Sequence, residues 1–352
     1  MEKKINKHIM MFVLLLVFFI MQMNVVQAEN SDVEQKVYAY GEFKYEYVKD
    51  TEYIAIIGYT GTAEVVIYPK EIEGKKVYSI GCYSMYSSDG GERVKEVVIP
   101  YGVKEIENLD SFDNLERVQL PESLEEISPS TFESCKKLEF IKLPEGLKKI
   151  GTGAFYDCIS LKEIHIPKGV SVIEELAFAG CSGLKKVTIS SGVKKIEQEA
   201  FANCISLREI VIPDTVVKID EAAFWLCKKL TKVKLSKNMT KIDEDSFHGC
   251  NLKSVEIPKK VKKIGAGAFW GNSFTSITIP SKVTYIGKAS FAYCKKLKKI
   301  TIKSKNVKQI KKNAFYNINK KAIFDVPNKC KKKYKAMLIK AGCFKEGKMK
   351  IK

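Results

Sequence analysis

The sequence LKEIHIPKGVSVIEELAFAGC, residues 161–181, is one copy of a unit that recurs along most of the chain. Phe recurs six times at intervals of 23 residues, at positions 132, 155, 178, 201, 224 and 247. Cys recurs at the same interval, at positions 135, 158, 181, 204, 227 and 250. A fixed period of about 20 to 50 residues is the sequence signature of a stacked repeat protein. The repeat therefore predicts a solenoid.

The shared pattern L-x-x-I-x-I-P-x-x-V-x-x-I-x-x-x-A-F-x-x-C predicts the course of one coil. I-x-I alternates with period two and predicts a strand with one buried face. Pro ends this strand, because Pro has no N–H to donate to a sheet. V-x-x-I predicts a second extended segment on the return side, and A-F-x-x-C predicts a single helical turn. Gly or Asn often precedes Cys, where it helps the chain to turn back: Gly180, Asn203 and Gly249.

This pattern resembles the BspA-like, or Treponema pallidum type, leucine-rich repeat family. Two copies that carry the resemblance are Leu138–Pro144 with Ala154-Phe155, and Leu207–Pro213 with Ala223-Phe224. The resemblance implies a curved solenoid and a secreted or surface location. It also implies adhesion to molecules of a host or of neighbouring cells, and it brings no catalytic residues with it.

We therefore expect a curved, mainly β leucine-rich repeat solenoid with one short strand and one helical turn in each 23-residue repeat. The residue before the Pro position recurs 11 times from Ile99 to Val326, which predicts a solenoid over residues 78–327. Residues 29–77 predict an N-terminal cap of three short β-strands. Residues 328–352 predict a Lys-rich cap helix and tail. Such caps are expected, because an open solenoid end exposes apolar side chains and an unpaired strand edge.

Residues 1–28 predict a cleavable signal peptide. Lys3, Lys4 and Lys7 precede the apolar run Ile9–Met21, and cleavage is expected before Glu29. The alternative is a membrane anchor, but the run is short of the ~20 residues that a spanning helix needs. We therefore expect the mature protein to be secreted or associated with the cell surface, with no membrane span.

The ten Cys invite a disulfide interpretation, since exported proteins often carry disulfides. The periodic Cys, however, predict an inward-facing ladder in which Cys acts as a small apolar side chain. Buried free thiols are therefore the preferred interpretation, with bridges between neighbouring coils and a metal site as alternatives. Cys330 and Cys343 flank a helix and would lie ~20 Å apart along it, which is too far for a disulfide. The thiol state of Cys82, Cys330 and Cys343 is left open.

The net charge of +19 is unevenly placed. Residues 295–352 hold 21 Lys but only two acidic residues, which is typical of a segment that meets a polyanion. Anionic cell-wall polymers are the expected partner and nucleic acid is not, because few aromatic residues separate these lysines. The main role expected of the helix is a cap that buries Tyr334, Met337 and Leu338 and exposes its lysines, which can still bind an anionic surface. The candidate polyanion contacts are Lys331, Lys332, Lys333 and Lys335.

The outward strand positions vary between repeats and are the expected place for ligand contacts. Phe140 is the one aromatic residue among them, and an aromatic ring in water favours a binding role. The alternative is an ordinary solvated sheet face. The candidate ligand contacts are Phe140, Arg117, Lys142, His165, Lys186, Lys232 and Lys234.

No catalytic or metal-binding constellation is evident in the sequence. Of the three His, His8 lies in the signal, while His165 and His248 are more than three coils apart. We therefore predict no enzyme, cofactor or metal. The expected function is a monomeric, secreted or cell-surface binding or adhesion module for an unknown protein or glycan. The alternative is a wall-associated structural protein that its Lys-rich C-terminal region holds on anionic cell-envelope polymers.

Overall fold

The computed structural model describes residues 36–82, 89–110, 112–343 and 350–352. Residues Ala39–Lys352 form one compact unit by their contacts. The predicted signal peptide lies outside the described residues. Among the residues that are described, no helix is long and apolar enough to cross a bilayer.

The N-terminal region forms strands, as predicted. Strands β2 and β3 pair antiparallel, and β3 pairs in parallel with β6. Strand β4 leads into Tyr68-Pro69, so that Val66-Ile67-Tyr68-Pro69 matches the I-x-I-P pattern with Val and Tyr in place of the two Ile. The strands here are β1 (Tyr38–Tyr40), β2 (Phe43–Tyr47), β3 (Tyr53–Tyr59), β4 (Val65–Ile67), β5 (Glu71–Ile72) and β6 (Lys75–Ile80).

The strands before the Pro positions form a parallel row whose outward side chains we name the strand face. The row starts at β4, which pairs in parallel with β7. The row therefore begins upstream of residue 78, where the solenoid is expected to start. At the position expected before Ile257, Ser254 makes an isolated bridge with Lys232 instead of a full strand. The other members are β7 (Glu96–Val98), β9 (Arg117–Gln119), β11 (Phe140–Ile141), β13 (Glu163–Ile166), β15 (Lys186–Ile189), β17 (Glu209–Val211), β19 (Lys232–Lys234), β22 (Ser276–Ile279), β24 (Lys299–Ile302) and β26 (Ile323–Asp325).

The V-x-x-I segments form a second parallel row, as predicted, and we name its outward side the return face. Strand β6 of the N-terminal cap pairs with the first return strand, so cap and solenoid share one sheet. The return strands are β8 (Glu105–Ile106), β10 (Glu126–Ile127), β12 (Lys149–Ile150), β14 (Val172–Ile173), β16 (Lys195–Ile196), β18 (Lys218–Ile219), β20 (Lys241–Ile242), β21 (Lys263–Ile264), β23 (Tyr285–Ile286) and β25 (Gln309–Ile310).

The A-F-x-x-C segments join the two rows through consecutive hydrogen-bonded turns, where we had expected a single helical turn. Alternate amides donate to the next coil instead of to their own: Gly153 to Glu175 at 2.9 Å and Phe155 to Ala177 at 2.9 Å. This bonding requires left-handed backbone twice in each segment, for example at Gly153 (φ 63°) and Asp157 (φ 55°). The predicted turn residues Gly180, Asn203 and Gly249 are also left-handed. The turns thus form a third ladder between coils.

The core is a column of Phe rings, one from each coil. From Phe155 to Phe247 the ring centroids are 5.2 to 5.4 Å apart and the planes lie within 9° of each other. The column continues through Phe269 and Phe291 to Phe315, beyond the strictly 23-residue stretch. Each ring is fully buried against its neighbours. A single coil cannot bury its own apolar side chains, so the stacked coils bury them for one another.

The periodic Cys are buried beside this column, as predicted. The structure has all ten Cys of the chain as free thiols, nine of them buried and Cys330 half-buried. From Cys158 to Cys250, each periodic thiol donates to the carbonyl oxygen of the Phe one coil earlier, for example Cys181 to Phe155 at 3.1 Å, whereas Cys135 donates to Leu109 O at 3.7 Å. Asn272 stands at the same position in a later coil, and its Nδ2 donates to Phe247 O at 2.8 Å. This slot therefore takes a donor in most coils, although buried Leu115 and Ile318 stand there in two others.

The C-terminal end of the stack is covered by a helix, as predicted. The 3-10 helix η2 (Asn328–Cys330) leads into α1 (Lys331–Lys340), and an earlier 3-10 helix, η1, spans Asp89–Arg93. Tyr334 and Leu338 of α1 are buried, and Tyr334 Oη donates to Ser304 O at 2.7 Å. A final strand, β27 (Lys350–Ile351), pairs in parallel with β26 and lies within the predicted tail.

Candidate binding faces

The strand face presents the predicted contact residues to solvent. Parallel pairing in register places equivalent positions of successive coils side by side, as in Phe140 opposite Arg117 and Val211 opposite Lys234. The exposed predicted contacts are Arg117, Phe140, Lys142, His165, Lys186, Lys232 and Lys234. They extend over six neighbouring coils of the face and do not converge on one point.

An apolar cluster lies at the N-terminal end of the strand face. Phe140 is 55% exposed, and β4 adds Val65 at 48% and Ile67 at 69%. Tyr101, in the loop that follows β7, is 80% exposed. Sequence reasoning missed Val65 and Ile67 because it placed β4 in the cap. The Val66-Ile67-Tyr68-Pro69 match to the repeat was the available signal.

A polar cluster separates Phe140 from the two β4 side chains. Glu96 accepts hydrogen bonds from Gln119 Nε2 at 2.6 Å and from Arg117 Nε at 3.0 Å. The pKa of Glu96 is lowered, first by the Gln119 hydrogen bond and then by Arg117. Both donors reach Glu96 from the neighbouring strand β9, so the carboxylate fixes the Arg117 side chain beside Phe140. The N-terminal end of the face thus combines exposed apolar groups with an oriented guanidinium.

Most other cations of the strand face are paired with carboxylates. Surface pairs of this kind contribute ~1 kcal/mol or less each, so a ligand can break them at little cost. The pairs are Lys142 with Glu122 at 3.4 Å, His165 with Glu145 at 3.6 Å, Lys186 with Glu163 at 4.0 Å and Lys232 with Glu209 at 3.7 Å.

The return face carries a closer set of ion pairs in the middle coils. A Lys of each strand meets a carboxylate that follows the buried Ile, either in its own coil or in the next. Examples are Lys195 with Glu197 at 2.7 Å, Lys195 with Asp220 at 3.2 Å and Lys241 with Asp243 at 2.6 Å. The face is therefore electrically balanced in these coils.

The C-terminal third has a different charge balance. Residues 257–324 contain 17 Lys and no acidic residue. Within the part of the chain that the structure describes, every ion pair lies between Glu64 and His248. The predicted polyanion contacts Lys331, Lys332, Lys333 and Lys335 are exposed on α1. The unbalanced region therefore begins before residue 295, on the coils themselves.

The two remaining His are not brought together. His165 lies on the strand face, whereas His248 lies in a turn, where its Nδ1 is 2.8 Å from Asp245 Oδ1. His248 stacks on Trp270 with centroids 4.5 Å apart and tilts against Trp225 at 6.4 Å. The two Trp thus pack between neighbouring coils. Among the described residues, no three His, Cys, Asp or Glu are grouped so that they could hold a metal ion.

Comparison with known proteins identifies the repeat. The BspA type leucine rich repeat region matches in 6 copies, over residues 71–167, 108–231 and 217–346. No match was found among curated proteins.

Three solved structures are similar to this chain. A leucine-rich repeat protein from Bacteroides ovatus is 26% identical with a TM-score of 0.67, over 82% of this chain and 78% of that one. A leucine rich repeat protein from T. pallidum is 28% identical with a TM-score of 0.49, over 55% of this chain and 91% of that one. A leucine rich cell surface protein from Faecalibacterium prausnitzii is 23% identical with a TM-score of 0.44, over 78% and 96%.

The predicted resemblance and the predicted solenoid are both confirmed. The matched repeats cover residues 71–346, which is most of the chain, and the Bacteroides ovatus structure shares the fold over most of its own length. The chain therefore belongs to the BspA-type leucine-rich repeat family.

Proposed function

We propose that this protein is a secreted or cell-surface binding module, without catalysis, whose ligand is a protein or glycan held on the strand face. One observation supports this most: Phe140 remains 55% exposed beside Arg117, on a face that a rigid core holds in place. Exposed aromatic and Arg side chains are the residue types that dominate binding energy in interfaces. Adhesion through this face follows if the ligand lies on another cell or on a host matrix.

The site lies at the N-terminal end of the strand face. Val65 and Ile67 supply apolar area, and the bond from Glu96 keeps Arg117 oriented before a ligand arrives. Preorganised side chains lose less entropy on binding. The paired lysines further along the face would set the orientation of a charged ligand and add little affinity of their own.

The test is a pull-down with the mature chain, residues 29–352, against host matrix proteins and bacterial wall fractions, followed by titration of the captured ligand. Phe140→Ala should weaken binding by about 30-fold or more, as expected for a central aromatic contact. The matched control is Val211→Ala, since Val211 is 56% exposed on the same face, outside the N-terminal cluster. Unchanged affinity in Phe140→Ala, with the melting temperature also unchanged, contradicts the proposal.

A second function is favoured by a separate observation, the absence of acidic residues from 257 to 324. We propose that the C-terminal third attaches the protein to an anionic cell-envelope polymer. Lysines act as point charges, so this attachment should weaken as salt rises. If cell association survives about 1 M salt, where the Debye length is about 3 Å, electrostatic attachment is wrong.

A further inference from the structure

We infer that the return face of the last three coils, centred on Lys263, Tyr285 and Lys311, is the site that holds a linear polyol-phosphate polymer. This inference rests on the second function proposed above, and it places the contact on the solenoid and away from α1. It is carried by a comparison of equivalent positions in successive coils.

The residue after the buried Ile of each return strand is acidic in the middle coils but not in the last three. It is Glu197, Asp220 and Asp243 in the middle coils, where each carboxylate pairs with a return-face Lys. In the last three coils the equivalent residues are Gly265, Gly287 and Lys311. Among the described residues, the last ion pair of this face is that of Lys241 with Asp243, and none follows from Gly265 onward.

The two Gly make this loss a property of the backbone packing. A Cβ added at Gly265 would lie 2.5 Å from the Glu244 backbone N, and one at Gly287 would overlap the backbone of Gly265 and Ala266. Because backbone and not a flexible side chain occupies this space, no carboxylate fits at these positions without moving a coil. These two positions are thus closed to a carboxylate by the backbone itself.

The ring of Tyr285 lies between two lysines that have no carboxylate partner among the described residues. The return strands align Lys241, Lys263, Tyr285 and Gln309 in register. The Nζ of Lys263 lies 5.0 Å from the Tyr285 ring centroid, and that of Lys311 lies 5.9 Å away. Cation–π attraction of this kind neutralises no charge, so the ammonium groups keep their charge and can still bind an anion. Lys262, Lys288 and Lys308 are exposed on the same coils.

The chemistry of the site favours a flexible phosphate polymer over the other polyanions. Every cation of residues 257–352 is Lys, and Lys binds phosphate as a point charge without the bidentate geometry of Arg. The single aromatic ring of the site is already covered by lysines, whereas binding of single-stranded nucleic acid relies on free rings for base stacking. A polymer with evenly spaced phosphodiesters and no bases matches charges that recur once in each coil.

The test measures binding of the 29–352 chain to poly(glycerol phosphate), with heparin and a single-stranded oligonucleotide as comparators. The site variant is Lys263→Gln with Lys311→Gln. The control is Lys298→Gln with Lys299→Gln, which removes the same charge from the same third of the chain, at and beside the strand face. We expect the site variant to weaken binding by about 25-fold, about fivefold for each lysine, and the control by less than fivefold.

The possible results distinguish a wrong site from a wrong function. If the unaltered protein binds no poly(glycerol phosphate) at about 50 mM salt, the second function itself is wrong. If it binds but both variants lose affinity equally, the attraction comes from net charge and the site is wrong. Tighter binding of heparin or of the oligonucleotide than of the polyol phosphate overturns the proposed occupant. Selective loss in the site variant, with its melting temperature unchanged, supports the inference.

Discussion

The Cys227 Sγ lies 3.2 Å from the Phe201 carbonyl oxygen, one coil earlier, and donates its S–H to it. The same bond joins Cys158 to Phe132 at 3.0 Å and Cys250 to Phe224 at 3.1 Å. The Cys ladder therefore does more than fill space, because in these coils it adds a hydrogen-bond donor to a buried carbonyl.

Cys227→Ala should destabilise the protein by about 1–3 kcal/mol, because the buried Phe201 carbonyl then keeps only the long hydrogen bond from the Cys204 amide, at 3.4 Å. Cys227→Ser keeps a donor of similar size, as Asn272 does in a later coil, and should cost less. Urea unfolding followed by circular dichroism measures both. Equal stability of the Ala variant and the unaltered protein would show that the S–H contributes nothing.

Thiol reactivity should divide the ten Cys into two groups. Burial raises the pKa of Cys294 to about 12 and that of Cys343 to about 11, and the reactive species is the thiolate. In the folded protein at about pH 8 we expect half-buried Cys330 to react first with an aromatic disulfide reagent.

Cys330→Ser should remove this fast reaction and leave the slow ones. In denaturant, without reductant, most of the ten thiols should react. Fewer than about four reactive thiols would mean that disulfides form between neighbouring coils.

Glu125 should make the stability of the folded protein depend on pH. Hydrogen bonds from Lys104 and then Lys148 lower its pKa from 4.5 to about 2. A group whose pKa falls on folding stabilises the protein above its unfolded value, and the contribution is lost as the pH drops toward the folded value. The melting-temperature difference between the unaltered protein and Glu125→Gln should therefore be largest near neutral pH and vanish near pH 2. A difference that stays constant with pH would contradict this assignment.

The C-terminal helix should stabilise the whole stack through Leu338. Leu338→Ala is expected to cost about 2–5 kcal/mol, because the side chain is fully buried against the last coil. Tyr334→Phe should cost about 1 kcal/mol for the lost bond to Ser304. Ile339→Ala is the matched control, since Ile339 is 54% exposed on the same helix. If all three variants melt alike, α1 does not act as a cap.

The sequence predicts the core of this fold well because the core repeats. Residues equivalent to Phe178, Cys181 and Ile166 recur at the same positions of most repeats, so an assignment made in one coil applies to the others. The start of the strand row was harder to place, since Tyr68 stands there in place of the usual Ile. Left-handed turn residues were foreseeable at Gly180 but not at Leu176 (φ 57°), whose side chain gives no local preference for that backbone.

The candidate sites were less predictable than the fold. The outward position of Phe140 follows from strand alternation, but its neighbour Arg117 could be held in many rotamers, and Glu96 selects one of them. The return-face site depends on residues far apart in the chain, since Lys263 and Lys311 meet at Tyr285 across two coils. The acid-free run from residue 257 is visible in the sequence alone; the uncompensated return face needed the strand register.

The near-parallel Phe column also bears on how such a chain can change length during evolution. Between Phe178 and Phe247 successive coils present almost the same surface to each other, with ring planes 3° to 9° apart. Recombination that removes or duplicates a segment of 23 codons in this stretch joins two surfaces that already fit. Gene duplication can therefore change the length of the solenoid, and with it the distance between the two proposed sites. The end coils that carry these sites stay unaltered.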